Sequence, residues 1–115
     1  MTVQEAIDYI DEVKPNAFKA ETKTRWLSEC EAGIVMRTAG IKAKPLKYPD
    51  DAGRELSAPP PYDKLYVEYL EAAIDYRNQD YAKYQNSHAV YNATEDEYAK
   101  WWERNKYELR TDTRR

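Results

Sequence analysis

The side chains of this 115-residue chain with the most chemical potential are Cys30, the adjacent Ser87 and His88, and two acidic clusters, Asp50-Asp51 and Glu95-Asp96-Glu97. Ser87 beside His88 suggests a nucleophile with its base. Neighbours on a helix point about 100° apart, however, and no oxyanion donor or orienting acid is specified. A histidine on a helix seam is the simpler expectation. His88 is the only histidine and Cys30 the only cysteine, which removes an internal disulfide and the common zinc sets that need two or more such ligands. The acidic clusters offer oxygen donors to a hard cation, but consecutive helical carboxylates diverge, and Thr94-Glu95-Asp96-Glu97 reads as a capping box with a charged first turn. No glycine-rich phosphate loop, dinucleotide fingerprint or paired-cysteine motif occurs. The expectation is therefore a chain with no catalytic residue, no metal and no cofactor, and so not an enzyme.

Three features bear on binding instead. Pro59-Pro60-Pro61-Tyr62 matches the PPxY pattern accepted by aromatic grooves of the WW type, but Tyr62 also opens a sustained tyrosine stripe, which favours a helix start. Trp101 and Trp102 cannot both face one core from one helix, so at least one lies at an edge, where tryptophan serves as a contact anchor. Charge is uneven: residues 61 to 99 hold three basic against eight acidic residues, whereas 100 to 115 hold six against three. That basic end suits an acidic partner surface, nucleic acid or plain solvation. Asn92-Ala93-Thr94 is a glycosylation sequon by pattern only.

The elements that position these residues are helical. Thr2 to Glu5 is a capping box, and Val3, Ala6, Ile7, Ile10 and Val13 share one face until Lys14-Pro15 ends the first helix. A second helix is expected from about Ala20 to Ala39, burying Trp26, Leu27, Cys30, Ile34 and Val35 and closed by Gly40. Gly33 inside it implies a close approach of another backbone. Residues 41 to 61 contain five of the six prolines and show no period, so they read as a long excursion anchored by Tyr48 and Leu56 on the body or on a neighbouring subunit.

Nine of the eleven tyrosines lie between Tyr62 and Tyr107, mostly three, four or seven residues apart, as helical stripes require. From Tyr62 to Tyr76 the arc Leu65, Tyr66, Tyr69, Leu70, Ala73, Ile74, Tyr76 predicts a core-facing helix. The five-residue step from Tyr76 to Tyr81 marks a turn. Beyond it Tyr81, Tyr84, His88, Tyr91, Glu95, Tyr98 and Trp102 read as a seam running to about Asn105. The fold class predicted is all-α: a single domain over 1–105, a bundle of about four helices with the irregular loop between helices two and three, followed by a flexible basic C-terminal tail over 106–115. The start lacks a signal peptide's basic and apolar regions and no run has membrane-spanning length, so a soluble protein of a reducing compartment, without membrane contact, is expected.

Two blocks carry a family resemblance: Val3 to Ile34, VQEAIDYIDEVKPNAFKAETKTRWLSECEAGI, and Leu65 to Asn86, LYVEYLEAAIDYRNQDYAKYQN. They resemble the small helical head-tail connector (adaptor or neck) proteins of tailed phages and prophages of Gram-positive bacteria. The chain departs from that pattern at Lys19, where a capping Ser or Thr is usual, and at Gln79, near a usual glycine. The resemblance implies a virion protein, assembled in the bacterial cytoplasm into a homo-oligomeric ring of about twelve copies beneath the portal protein. Such a ring prolongs the DNA channel without sequence-specific binding and receives the next neck, stopper or tail component. In that setting Tyr48, Leu56, Trp101, Trp102, Arg110, Arg114 and Arg115 are the expected partner contacts, with 41–61 and 106–115 ordering on assembly. The rival expectation is a free helical adaptor that binds a protein through the PPPY segment or an aromatic surface.

Overall fold

Thr2 opens the first helix as its capping box requires: its hydroxyl accepts the Glu5 amide at 3.1 Å and the Glu5 carboxylate accepts the Thr2 amide at 2.9 Å. A computed structural model describes the backbone of residues 1–114 and the side chains of residues 1–106. Four helices follow one another, α1 (Val3–Val13), α2 (Ala20–Thr38), α3 (Lys64–Arg77) and α4 (Tyr81–Arg114), and no strand forms among the described residues. The protein is an all-α bundle.

The hydrogen bonds from Thr2 hold the Glu5 carboxyl below its ordinary pKa of 4.5. A depressed carboxylate pKa adds stability that is present above the ordinary value and lost as pH falls through the folded one. Glu5→Gln is therefore expected to flatten the fall in stability below about pH 5, read as urea midpoints across a pH series.

A corner built on Asn16 joins α1 to α2. Its Oδ1 accepts the Phe18 amide and the Lys23 ammonium, each at 3.1 Å, while its Nδ2 donates to Asp11 and to the Lys14 carbonyl, each at 3.0 Å. This satisfies Lys23, whose buried ammonium also pairs with Asp11. α2 lacks a side-chain cap at Lys19 and buries Trp26, Leu27, Cys30 and Ile34, with Val35 partly covered. Gly40 closes it at φ 70°, as expected.

Gly33 differs from expectation. It is exposed, and a Cβ added there would meet nothing within 4 Å, so no backbone packs against it. Gly33→Ala should therefore raise stability by about 0.5–1 kcal/mol through helix propensity, measurable by chemical denaturation.

α3 is the central element, in contact with α1, α2 and α4. Its buried residues are Leu65, Tyr66, Val67, Leu70, Ala72, Ile74 and Asp75, which spread around the helix because it is covered from several sides. Tyr76, expected on the core arc, is half exposed. The turn after Arg77 is real and is made by Gln79 at φ 60°, with the Asp80 amide donating to the Asp75 carbonyl at 3.0 Å. Gln79 thus takes the left-handed conformation that glycine adopts most easily.

The α4 seam keeps Tyr84, Tyr91 and Tyr98 as expected, but the positions between and after them fall one residue earlier than the aromatic reading, at Ser87, Thr94 and Trp101. Tyr84, Ser87, Tyr91, Thr94, Tyr98, Trp101 and Asn105 are the positions turned inward, at alternating steps of three and four, while Tyr81 and His88 are exposed. The cause is chemical. Ser87 Oγ donates to Asp75 at 2.9 Å and Thr94 Oγ1 donates back to the Val90 carbonyl, so small polar residues alternate with Tyr91 and Tyr98. No glycine or proline follows Pro61, and α4 continues past the expected end near Asn105 to Arg114.

The excursion over 41–61 does not project. Its backbone completes the start of α1: Arg54 O accepts the Val3 amide, Ala52 O accepts the Gln4 amide, and the Leu56 amide donates to Met1 O, all within 2.8–3.1 Å. An isolated antiparallel bridge pairs Thr2 with Glu55. Leu46, Leu56 and Ala58 are buried in the same core as α1 to α4. One carboxylate fastens the loop's far end. Glu31 accepts from the Ser57 amide at 3.0 Å, the Ser57 hydroxyl at 2.7 Å and the Tyr66 hydroxyl at 2.7 Å, and Tyr66 in turn accepts the Ala58 amide at 2.9 Å.

Candidate functional site

Ser87 and His88 do not act on one another. Ser87 Oγ donates to Asp75, whose other carboxylate oxygen pairs with Lys14 Nζ at 2.7 Å. The His88 ring leans on Tyr84 with centroids 5.2 Å apart and its Nδ1 lies 3.2 Å from the Asn92 amide nitrogen. The Asp75 cluster is structural in geometry, because Ser87 and Asp75 are both buried where no substrate carbonyl reaches them. Burial likewise pushes the Cys30 thiol far above its ordinary pKa, and its sulfur lies 3.6 Å from the Tyr91 hydroxyl, an inert setting for a thiol. Among the described residues no group of three or more His, Cys, Asp or Glu side chains is placed to hold a metal ion, and no helix is long and apolar enough to cross a membrane.

The seven residues expected at partner contacts fall into four situations. Leu56 is buried inside its own chain and presents no surface. Tyr48 is half covered and its hydroxyl donates to Gln4 Oε1 at 2.9 Å, so it anchors the excursion to α1. Trp101 packs on the core beside Tyr98 and Tyr62, and Trp102 is the one turned to the edge, as two adjacent helical tryptophans must divide. The side chains of Arg110 and Arg114, and the whole of Arg115, lie outside the described residues. The PPPY segment forms a turn, the Tyr62 amide donating to the Pro59 carbonyl at 2.8 Å. The Tyr62 ring is packed against Tyr98 and Trp101, each at 5.8 Å, so it is not displayed as an extended ligand would be.

Among the surface grooves, two lie at opposite ends of the packed part of α4. One, of about 510 Å³, lies between the end of α2 and the far part of α4, where Trp102 is flanked by Arg37, Lys100, Glu103 and Arg104. Arg37 is tied to Glu95 and, at 2.8 Å, to Asp96, which holds the two helices together and raises the guanidinium pKa. The other groove, of about 220 Å³, lies near the α3–α4 turn and is walled by Tyr69, Tyr76, Tyr84 and Trp26, with Glu29 and Arg77 at its rim. Tyr76 and Tyr84 meet edge to face at 5.2 Å, and the Arg77 guanidinium sits 5.7 Å over the Tyr76 ring. Desolvation and the nearby Glu29 push the Tyr69 hydroxyl up to about 12, so it remains a neutral donor.

The sequence reading missed both grooves as sites. Lys100 and Arg104, four apart around Trp102, are a legible signal for the first; Arg37, sixty-odd residues away, joins it only through the fold. The second pairs Trp26 with tyrosines expected to be core, and depends on the turn at Gln79. Compared with protein-family models, with curated proteins and with solved structures, the chain finds no match.

Proposed function

We propose that the chain is a head-tail connector subunit: a structural, non-enzymatic protein that forms a ring beneath the portal in the neck of a tailed phage or prophage particle. The resemblance of residues 3–34 and 65–86 to such proteins motivates the reading, and one structural observation carries it. The two grooves are chemically unlike and lie at opposite ends of the packed length of α4, Tyr84 and Trp102 being separated by about 27 Å at 1.5 Å per residue. A closed ring of identical subunits needs two different faces on each copy, because its contacts are head-to-tail. In this reading the portal and the next neck or tail component meet the ends of the ring, and DNA passes through without sequence-specific contacts. The acidic excess of residues 61–99 suits a wall that does not grip it.

The test is the particle. Virions or induced prophage particles encoding the chain should contain it in many copies, and a deletion should leave DNA-filled heads beside unattached tails. Normal assembly without the chain, together with its absence from mature particles, would overturn the reading. The rival, a free adaptor, loses support at PPPY because Tyr62 is committed to Tyr98 and Trp101. What supports it is the tyrosine groove, and it expects the chain to act away from particles.

A further inference from the structure

Residues 78–80 join α3 to α4, which share the largest interface between helices in the molecule, yet no other element holds them. The Asn78 amide donates to the Ile74 carbonyl at 2.9 Å, and the Gln79 and Asp80 amides donate to the Tyr76 and Asp75 carbonyls, each at 3.0 Å. Asp80 in turn accepts the Tyr84 amide on its carbonyl at 2.9 Å and the Lys83 amide on its carboxylate at 3.3 Å. Every one of these bonds falls within residues 74–84. Gln79, at φ 60°, is also the one residue other than glycine with positive φ among the described residues. The turn is both strained and unanchored.

The same residues suit a continuous helix. No glycine or proline occurs after Pro61, glutamine is a good helix former, and asparagine and aspartate are ordinary ones. Straightening the turn moves the Gln79 amide from the Tyr76 to the Asp75 carbonyl and the Asp80 amide from Asp75 to Tyr76, the acceptors of a regular helix. The two rings that flank the turn are also left open to water. Tyr76 and Tyr81 are 49% and 55% exposed, and they meet edge to face at 5.9 Å.

We infer that the face of α3 that binds α4 also binds α4 of a second copy, the turn opening so that two chains exchange this helix in a reciprocal dimer. What selects the occupant is already in place. The exchanged helix makes the same contacts across two copies that it makes within one: Ser87 with Asp75, Tyr91 with Tyr69, and Glu95 and Asp96 with Arg37. Only the links differ. Each dimer loses two strained turns and gains two helices that run unbroken from α3 into α4. The straightened segments pass side by side at the dyad, where Tyr76 and Tyr81 of one copy cover those of the other. The exchange concerns the free chain and does not depend on the connector reading.

The first experiment concentrates the full-length chain from partly denaturing urea, which lets α4 leave and return, and follows mass by light scattering. A monomer and a slowly exchanging dimer are expected. Gln79→Ala keeps the strain of the turn and favours the straight helix, so it should raise the dimer share. Gln79→Gly relieves the strain and weakens the helix at both hinges, and should lower dimer affinity about tenfold or more. The second experiment asks which copy supplies α4, by native mass spectrometry of mixed chains. One chain carries Arg37→Glu and the other Glu95→Arg with Asp96→Arg, all at a pair of helices bridged at the surface. Each chain alone sets like charges against each other, and only exchange between the two restores opposite charges at both junctions. Heterodimers should therefore exceed their random share severalfold. With all three changes on one chain mixed with the parent, the preference should reverse to homodimers, which an attraction of net charges does not produce. A Gln79→Ala chain that stays monomeric at high concentration would overturn the inference. So would random heterodimer shares, the result for copies that associate with each α4 kept on its own chain, or a heterodimer excess in the first mixture without the reversal in the second.

Discussion

Tyr66→Ala is expected to lose about 3–5 kcal/mol of folding stability, the range for deleting a large buried aromatic side chain. A domain of this size holds about 5–15 kcal/mol in total, so the variant should sit near its unfolding threshold. Tyr66 is fully buried in α3 and contributes more than volume. Its hydroxyl donates to Glu31 on α2 and accepts the Ala58 amide at the end of the 41–61 excursion, so one phenol joins three segments. Burial, reinforced by the Glu31 charge, pushes its pKa far above the ordinary value, and it stays a donor throughout the working pH range. Tyr66→Phe separates the two contributions. It keeps the ring but leaves the buried Ala58 N–H unpaired, for an expected loss of about 1–3 kcal/mol. In that variant limited proteolysis should cut first within residues 41–58 while the helices remain folded. A neutral Tyr66→Phe with an uncut loop would show that Glu31 holds the segment through Ser57 alone.

Lys14→Met should be the next most damaging change, at about 3–4 kcal/mol, because it strands a buried charge. The Asp75 side chain is only 3% exposed and its partner Lys14 is 24% exposed. The asymmetry decides the order of effects. With Lys14 gone, Asp75 keeps only the Ser87 hydroxyl; with Asp75 gone, the Lys14 ammonium can still turn to water. Asp75→Leu is therefore expected to lose less than Lys14→Met, and the double variant less than the sum of the two. Urea denaturation of all four proteins measures the cycle. Equal single losses would mean that Asp75 is solvated by another route.

What was legible in the sequence followed from strong local signals. Thr2 and Glu5 announce α1, Pro15 ends it, Gly40 ends α2, and the long tyrosine-bearing arcs give α3 and α4. The errors arose where tertiary contacts outweigh local pattern. Ring size suggested His88 and Trp102 for the α4 seam, but Ser87 and Trp101 occupy it, because a small hydroxyl that can bond Asp75 fits the contact better than an imidazole. Whether Tyr48 and Leu56 anchor the excursion on the body or on a neighbouring subunit stayed open in the sequence, because its bonds are mostly backbone to backbone or end on single side chains such as Glu31 and Ser28, which leave no periodicity to read. The Trp102 groove was half legible, in Lys100, Trp102 and Arg104, and half not, since α2 delivers Arg37 to it across the fold.

The pairing of Thr2 with Glu55 has a consequence for how the chain tolerates change in length. It closes a circuit through α1, α2 and the excursion, and the closing bonds run from residues 1–4 to Tyr48 and residues 52–56. Residues 41–45 have no regular structure, and apart from half-covered Ala43 they are exposed. The entropy of closing a flexible circuit grows only with the logarithm of its length, about 0.6 kcal/mol for each doubling. Insertions between Gly40 and Leu46 should therefore be nearly silent in stability. This makes that short stretch the place where the protein can acquire a longer reach, or a new contact, without loosening the bundle.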